Sequence, residues 1–149
     1  MIRKARQNDL ASLLVLENEC FKEETFKKKQ IKYLLQKAKS FVLVAEVNGN
    51  IIGSIIILMR KNIAHARIYS LNIHRKYRRK GIGGLLMDEA IRSLKEKGYT
   101  KVSLEVGIQN IAAQKLYNSR DFFEDKRLSK YYKNGDDAIH MIKIIKQGH

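Results

Sequence analysis

The chain has 149 residues, an apolar fraction of 44% and one cysteine, Cys20. This length predicts a single domain over residues 1–149 with a hydrophobic core of its own. Residues 1–10 contain no apolar signal region, and the longest apolar stretch, 51–59, is far shorter than the ~20 residues of a membrane-spanning helix. A lone cysteine excludes an internal disulfide. We therefore expect a cytoplasmic protein with no membrane partner and with Cys20 in the core.

Thirty lysines and arginines against fifteen acidic residues give a net charge of +15. Such an excess attracts polyanions of any kind, including nucleic acids, ribosomes and phosphorylated cofactors. The sequence contains no zinc pattern and no aromatic ribonucleoprotein motif that would predict a dedicated nucleic-acid module. Lysines between Lys22 and Lys39 recur at helical spacing, which fits either a solvated helix face or a docking surface for an anionic partner. The four histidines show no metal-ligand spacing, so no metal site is predicted. We interpret them as surface or incidental residues: His65, His74, His140 and His149.

Hydrophobic periodicity predicts strands and helices in alternation along the chain. The predicted strands cover 2–5, 41–47, 51–59, 66–73, 101–106, 122–127 and 139–145. The predicted helices cover 10–16 with a cap at Asn8 or Asp9, 25–38, 81–97 and 110–120. Asn48-Gly49 indicates a tight hairpin turn between two of the strands. These elements indicate a mixed α/β fold with about seven strands and about four helices.

A glycine-rich segment joins the strand over 66–73 to the helix over 81–97. Gly81, Gly83 and Gly84 allow a ligand to approach the backbone, and a helix begins there with unpaired N–H groups. Arg78, Arg79 and Lys80 add positive charge, so the segment predicts a phosphate or pyrophosphate site. The alternative is a tight turn with a solvated basic loop. The segment lacks the Lys-Ser or Lys-Thr of a P-loop and the last glycine of a dinucleotide fingerprint.

Glu105 lies at the centre of an otherwise apolar strand. Alternation places Val102, Leu104 and Val106 on one face and Glu105 on the other. A buried carboxylate requires a compensating partner or a function. Two interpretations stay open at this point: an ion pair with Arg67 or Lys115, or a general base.

The pattern Arg78-x-x-Gly81-x-Gly83 resembles the Gln/Arg-x-x-Gly-x-Gly/Ala signature of the GCN5-related N-acetyltransferase (GNAT) superfamily. The likeness extends in order to the hairpin over 46–53, Leu104-Glu105-Val106 and the segment 110–117. It implies the GNAT fold, a central, mostly antiparallel mixed sheet that splays between its fourth and fifth strands. It also implies acetyl-CoA as the acetyl donor and CoA as a product.

The resemblance further implies a set of site residues. Glu105 would act as the base, and Tyr117 would give a proton to the departing thiolate or hydrogen-bond its sulfur, although plain core packing of Tyr117 is the alternative. The implied cofactor-binding residues are Leu71, Asn72, Ile73, Arg78, Arg79, Lys80, Gly81, Ile82, Gly83, Gly84, Asn110 and Tyr117. An α-amine with a pKa near 7.8 is neutral at pH 7 far more often than a lysine side chain, so a weak base suits an α-amine.

Within the superfamily the chain resembles the RimI-like protein N-terminal acetyltransferases. Tyr131-Tyr132 matches their acceptor site, and Phe21 and Glu24 fall where the substrate amine would enter. The resemblance implies acetylation of a protein N-terminus, with ribosomal proteins as candidate substrates and ribosome association through the basic surface. The alternatives are a small-molecule amine or lysine side chain as acceptor, and a non-enzymatic RNA- or ribosome-binding module. The sequence leaves open the peptide preference and whether the protein is a monomer or a homodimer.

Three positions depart from the pattern of the superfamily. Arg75 replaces a frequent proline, and Arg79 replaces a frequent glycine beside the proposed phosphate site. Asp121 stands where a glycine usually ends the last helix. Aspartate can adopt the left-handed conformation that such a glycine supplies, but only at some energetic cost.

Overall fold

The computed structural model describes residues 1–20 and 39–146, with no side-chain description for 18–20. The predicted helix over 25–38 and the candidate residues Phe21 and Glu24 lie outside the described residues, and the side chain of Cys20 does too. The strands are β1 (Ile2–Lys4), β2 (Ser40–Val47), β3 (Asn50–Arg60), β4 (His65–Ile73), β5 (Lys101–Gly107), β6 (Phe123–Leu128) and β7 (Ala138–Ile144). The α-helices within these ranges are α1 (Leu10–Cys20), α2 (Ile82–Glu96) and α3 (Ile111–Ser119). None of the described helices is long and apolar enough to cross a membrane.

The seven strands form one sheet in the order β1-β2-β3-β4-β5-β7-β6. Every neighbouring pair is antiparallel except β4 and β5, which run parallel. Each strand end lies within one residue of its predicted position, and the mixed α/β prediction is confirmed. Asn48 and Gly49 both have positive φ angles, 50° and 81°, as the predicted hairpin turn requires.

The start of the first helix differs from the prediction. Helical geometry begins with a 3-10 turn at Gln7–Asp9, so neither Asn8 nor Asp9 is the N-terminal cap. The Asp9 carboxylate instead accepts the Arg6 N–H at 2.7 Å and the Arg3 guanidinium at 2.8 Å. Because Arg3 also pairs with Glu46, this cluster ties the start of the helix to the edge of the sheet.

Two apolar layers enclose the sheet. α2 buries Leu86, Met87, Ala90 and Leu94 against one face. On the other face Leu13 of α1 packs in a smaller cluster with Val44 of β2 and Ile56 of β3. Each fully buried aliphatic side chain contributes roughly 1.5–3 kcal/mol to folding. The layers therefore fix which side chains of the central strands face α1 and which face α2.

The parallel pair β4–β5 separates soon after it begins. Its register covers only His65–Arg67 against Lys101–Ser103. In β4 an extra residue, Tyr69, interrupts the pairing with β3, because Ile56 pairs with Ser70 while Ile57 pairs with Ile68. Such a bulge increases the local twist of a strand. The remainder of β4 and the end of β5 therefore border an opening, and the predicted splay is confirmed.

The ends of α2 and α3 also follow the sequence. Gly98 follows α2 with a φ of 83°, and Asp121 follows α3 with a φ of 67°. Asp121 therefore takes the left-handed conformation itself, which costs a non-glycine residue roughly 1–2 kcal/mol. Asp121 N–H donates to the carbonyl of Asn118, which closes the end of α3.

Candidate active site

The glycine-rich segment connects β4 to α2 at one end of the opening. The first hydrogen bond of α2 runs from Leu85 N–H to Gly81 C=O, so the amides of residues 82–84 precede any intrahelical acceptor. Gly81 has a φ of 80° and Arg79 a φ of 64°, which curls the backbone of the loop. Free amides and the positive end of a helix dipole favour an anion here. The loop therefore fits the pyrophosphate that the sequence predicts.

A further cation, Arg120, stands beside this loop. A Cβ atom built on Gly84 would collide with its guanidinium, so glycine at this position makes room for it. Arg120 is held by an ion pair with Asp88 of α2, in which Arg120 Nε lies 3.2 Å from Asp88 Oδ1. The sequence analysis missed Arg120 because the contact joins the end of α3 to the first turns of α2, which are distant in the chain.

Glu105 lies on the α1 side of β5 with both carboxylate oxygens engaged. Its Oε1 accepts from Arg67 Nε at 2.8 Å and lies 2.7 Å from Arg67 Nη2. Its Oε2 lies 2.7 Å from His140 Nδ1, a contact across the β5–β7 ladder. Of the two ion-pair partners expected, Arg67 is therefore correct and Lys115 is wrong. An ion pair that leaves lone pairs on both oxygens still permits a proton to be accepted.

The interpretation of His140 as a surface residue is wrong. Its side chain is 19% exposed and contacts Glu105. His65 is also only half-exposed, and its Nε2 lies 3.2 Å from Ser103 Oγ. Alternation along β7 places His140 on the same face as Ile142, so the sequence indicates which face of the sheet His140 lies on. Which residue His140 contacts there depends on the register between the strands.

Tyr117 lies in the core with its ring against Phe122, their centroids 5.8 Å apart. Burial raises the pKa of Tyr117 to about 12, with a smaller contribution from Tyr132. The hydroxyl is therefore protonated at neutral pH. It can donate a hydrogen bond but seldom releases its proton.

The loop before β7 brings Tyr131 and Tyr132 to the same place. Arg67 Nη2 donates to the Tyr131 hydroxyl at 3.3 Å, and a Cβ on Gly107 would touch the Tyr132 ring at 3.6 Å. The two rings pack edge to face, 5.0 Å apart. Their backbone N–H groups both donate to the Asp136 carbonyl, which fixes the turn.

A second carboxyl group, that of Glu17, lies on the same face of the sheet. It is 2% exposed, and its Oε1 accepts from Ser70 Oγ at 3.2 Å and from Asn72 Nδ2. Burial raises the pKa of Glu17 to about 7, against the opposing effect of these two donors. The sequence analysis missed Glu17, although it follows Leu10, Leu13 and Leu14 at core-facing helical spacing.

Two predicted cofactor residues use their side chains elsewhere. The Asn72 amide points to Glu17 on the α1 side, and its buried Oδ1 lacks a hydrogen-bond partner among the described residues. Asn110 caps α3, because its side chain accepts the Ala113 N–H at 3.2 Å. Leu71 and Ile73 face α2 and line the opening together with Gly83. Within the described residues no cluster of three or more metal-ligating side chains occurs.

The glycine loop, the splayed parallel pair and the bulge in β4 define one class of protein. A model of the Acetyltransferase (GNAT) family matches residues 8–122. The chain belongs to this family, and the family prediction is confirmed. Acetyl-CoA is the acetyl donor of the family, and the loop described above has the free amides and cations that its pyrophosphate requires.

Particular relatives are similar over most of the chain. N-alpha-acetyltransferase 30 of Xenopus laevis is 35% identical over 113 residues, which cover 74% of this chain and 41% of that protein. The chain thus spans less than half of that relative. N-alpha-acetyltransferase daf-31 of Caenorhabditis elegans is 34% identical over 149 residues, covering 94% of this chain and 80% of that protein. The crystal structure of the ribosomal-protein-S18-alanine N-acetyltransferase from Escherichia coli has the same fold, with a TM-score of 0.90, 24% identity and coverage of 100% and 96%.

Proposed function

We propose that the chain is an acetyl-CoA-dependent N-acetyltransferase that acetylates the N-terminal α-amine of proteins. The observation that carries the proposal is the convergence of Glu105, Tyr117, Tyr131 and Tyr132 at the end of β5 that does not pair with β4, beside the anion-binding loop. The names of the two relatives at 34–35% identity support the same acceptor. We further propose one domain over 1–149 and a cytoplasmic location, in keeping with its single cysteine.

Acetyl-CoA, when bound, supplies the acetyl group as a thioester. The amides of residues 82–84 and the cations of Arg78, Arg79, Lys80 and Arg120 would hold its phosphates. The part of β4 over 71–73, which pairs with β3 and not with β5, would lie along its extended arm. In this arrangement Leu71 and Ile73 contribute side chains, whereas Asn72 contributes its backbone.

Glu105 handles the proton of the acceptor. An amine attacks a carbonyl carbon only through a free lone pair, so an ammonium group must first lose a proton. We assign that proton to the Glu105 carboxylate, directly or through one water. Because an α-amine has a pKa near 7.8 and a lysine near 10.4, deprotonating the α-amine costs about 3.5 kcal/mol less. An acceptor site with one weak base therefore suits α-amines.

Tyr117 serves the departing sulfur. Its pKa of about 12 exceeds the ~8.5 of a thiol, so complete proton transfer from the tyrosine to a thiolate is uphill. A hydrogen bond from the hydroxyl to the sulfur carries no such cost and stabilises the charge that develops there. We therefore assign Tyr117 as a hydrogen-bond donor, with solvent as the final source of the proton.

A thiol-release assay with acetyl-CoA tests the function. The acceptors are short peptides with free N-termini beginning Ala, Ser or Met, the same peptides N-blocked but carrying lysine, and a polyamine. Turnover on free N-termini alone is expected. Turnover only on lysine or polyamine would replace the acceptor, and absence of turnover together with no thermal shift from CoA would overturn the enzyme assignment.

A second binding function is favoured by the opposite end of the sheet. Eight cations gather there: Lys4, Lys39, Arg60, Lys61, Lys95, Lys97, Lys101 and Lys146. No salt bridge joins them to acidic side chains of the described residues. The pKa of Lys97 is lowered by its partial burial and by the charges of Lys4 and Lys61. We propose this surface, the basic end, as the contact with ribosomal RNA.

A filter-binding titration with single-stranded RNA at several salt concentrations tests the basic end. Replacing Lys61, Lys97 and Lys101 by glutamine should flatten the dependence of log K on log[salt] by about 2 units, since each phosphate contact contributes about 0.7. Replacing Lys115, Lys126 and Lys130 removes the same charge elsewhere and serves as the matched control. Equal flattening in both variants would mean that only the net charge matters.

A further inference from the structure

His140 is the side chain on β7 that reaches the proposed base. It pairs with Glu105 in the β5–β7 register, and its Nδ1 lies 2.7 Å from Glu105 Oε2. An ionised carboxylate has no proton to offer, so the hydrogen in this contact comes from the imidazole Nδ1–H. Arg67 Nε donates to the other oxygen at 2.8 Å. The carboxylate is therefore held from two strands at once, by one donor on β4 and one on β7.

The charges around His140 come from every packed strand. β5 supplies Glu105, and β6 supplies Asp125, whose Oδ2 lies 3.8 Å from His140 Nε2, and Lys126 in register with it. β4 supplies Arg67, and His65, whose pKa is lowered mainly by burial and in part by His140. Tyr131 joins the group through Arg67.

We propose that His140 is a positioning residue for Glu105, and that its ionisation tunes the strength of this base. The proposal rests on the assignment of Glu105 as the base. The Nδ1–H is present in both the neutral ring and the imidazolium, so the hydrogen bond persists through the titration of His140. Only the charge changes, and a positive ring beside the carboxylate makes it a weaker proton acceptor.

The sign of the pH effect follows from this arrangement. Below the histidine range the imidazolium stabilises the ionised carboxylate and depresses its affinity for a proton. Once the ring is neutral, Glu105 accepts a proton more readily. We expect kcat/KM to contain a rising step that is lost when the ring is replaced. The peptide α-amine titrates identically in all variants and cancels when their profiles are divided.

Two substitutions separate position from charge. His140→Leu removes the donor, and it should lower kcat about tenfold while the KM for acetyl-CoA stays within about twofold, a modest part of the ~10²–10⁴-fold that a positioned base contributes. His140→Asn keeps an N–H near the place of Nδ1 without an ionisable ring. It should restore most of kcat at pH 7.5 and abolish the rising step.

His65→Asn is the matched control, because it removes a neighbouring histidine that does not contact Glu105. It should leave both kcat and the step unchanged. In a Glu105→Gln background, His140→Leu should have less than a twofold further effect, since His140 acts through Glu105. Additive losses, an unchanged kcat and pH profile in His140→Leu, or no recovery in His140→Asn would each overturn the proposal.

The same set distinguishes this proposal from the proposed function. If Glu105→Gln turns over at the wild-type rate, the assignment of the base fails whatever His140 does. If Glu105→Gln is slow and His140→Leu is normal, only the role of His140 fails. The His140→Asn variant keeps the comparison meaningful even where His140→Leu lowers the stability of the fold.

Discussion

Two carboxyl groups on the α1 face of the sheet differ in their exposure and in the charge of the groups that contact them. Glu105 has an 11% exposed side chain and contacts two groups that carry or can carry positive charge, Arg67 and His140. Glu17 is 2% exposed, and its hydrogen-bond donors, Ser70 and Asn72, are neutral. Strand β4 provides a partner for each group: Arg67 contacts Glu105, and Ser70 and Asn72 contact Glu17.

The difference shows that partners, and not burial alone, decide what a carboxyl group does. Burial without a cation raises the pKa of Glu17 to about 7, so at neutral pH it holds a proton about half of the time. A protonated Glu17 can donate to the unpaired Asn72 Oδ1 once that amide turns by half a rotation. Glu105 has its charge compensated at the edge of an opening, where a substrate can reach it.

Replacing Glu105 by glutamine should have the largest effect. The amide keeps the shape of the side chain but accepts no proton, so kcat should fall about a thousandfold, within the range for general-base catalysis. Steady-state assays with a free N-terminal peptide measure the change. The KM for acetyl-CoA should stay near the wild-type value, and a comparable loss of cofactor affinity would contradict a role confined to the acceptor.

Replacing Glu17 by glutamine should change stability instead of rate. The folded-state pKa of Glu17 is about 7 against 4.5 for the ordinary group, so between these values the native state binds more protons than the unfolded state. Stability from this group is therefore present below pH 4.5 and is lost as the pH rises through 7. Glu17→Gln should be more stable than the wild type at pH 8 by about 2–3 kcal/mol, with kcat unchanged.

Chemical denaturation at pH 5 and pH 8 measures the effect. Asp9→Asn is the control of opposite sign, because Arg3 holds the pKa of Asp9 below its usual value. Its stabilisation is present above the ordinary pKa of 3.8 and is lost as the pH falls through the lowered value. Equal stability of Glu17→Gln and wild type at pH 8 would mean that Glu17 is solvated.

Replacing Arg67 by methionine should make the surroundings of Glu105 more like those of Glu17, which has no cationic partner. The carboxylate loses its cation and keeps only His140, so it should bind protons more tightly and the acid limb of the rate profile should move to higher pH. We expect kcat at pH 7 to fall about tenfold, less than in Glu105→Gln. Arg67→Lys keeps the charge, and its acid limb should stay in place. A fixed limb in Arg67→Met would contradict electrostatic control.

Replacing Ser70 by alanine should give the smallest effect. Glu17 loses one of two donors that oppose the rise of its pKa, so that pKa should rise further. The decrease in the free energy of unfolding with pH should therefore extend to higher pH, and the variant should be less stable than the wild type by about 1 kcal/mol at pH 8. Ser54→Ala, on the neighbouring strand, is the control because Ser54 is buried without contacting Glu17 in the hydrogen bonds described. Proton-release measurements across unfolding would detect the shift.

The sequence is sufficient to predict the elements and their order. The β-branched and apolar residues of 41–47 and 51–59, the Asn48-Gly49 turn and the apolar stripe of α2 each leave a local signal, and all three predictions are confirmed. The loop at 81–84 could be predicted as well, because its glycines follow three cations and stand between a strand and a helix.

Contacts across the sheet could not be predicted in this way. Glu105 has an obvious need for a partner, but whether Arg67, Lys115 or His140 meets it depends on the register of β5 against β4 and β7. Glu17 carried a signal in its helical spacing, but its partners Ser70 and Asn72 lie on the α1 face only because of the bulge at Tyr69. A one-residue insertion in a strand reverses every side chain beyond it, and propensity alone does not specify where that happens.

The three-residue seam between β4 and β5 also makes the molecule two half-sheets, β1–β4 and β5–β7, fastened at one end. Beyond this seam the hydrogen bonds between β4 and β5 are absent, and a ligand that lies between the two strands would replace them. The melting temperature of the protein should then report the concentration of that ligand, since a ligand at a hundred times its Kd adds about 2.7 kcal/mol to the unfolding free energy. The protein would therefore be less stable in a cell with little acetyl donor than in a cell with much of it.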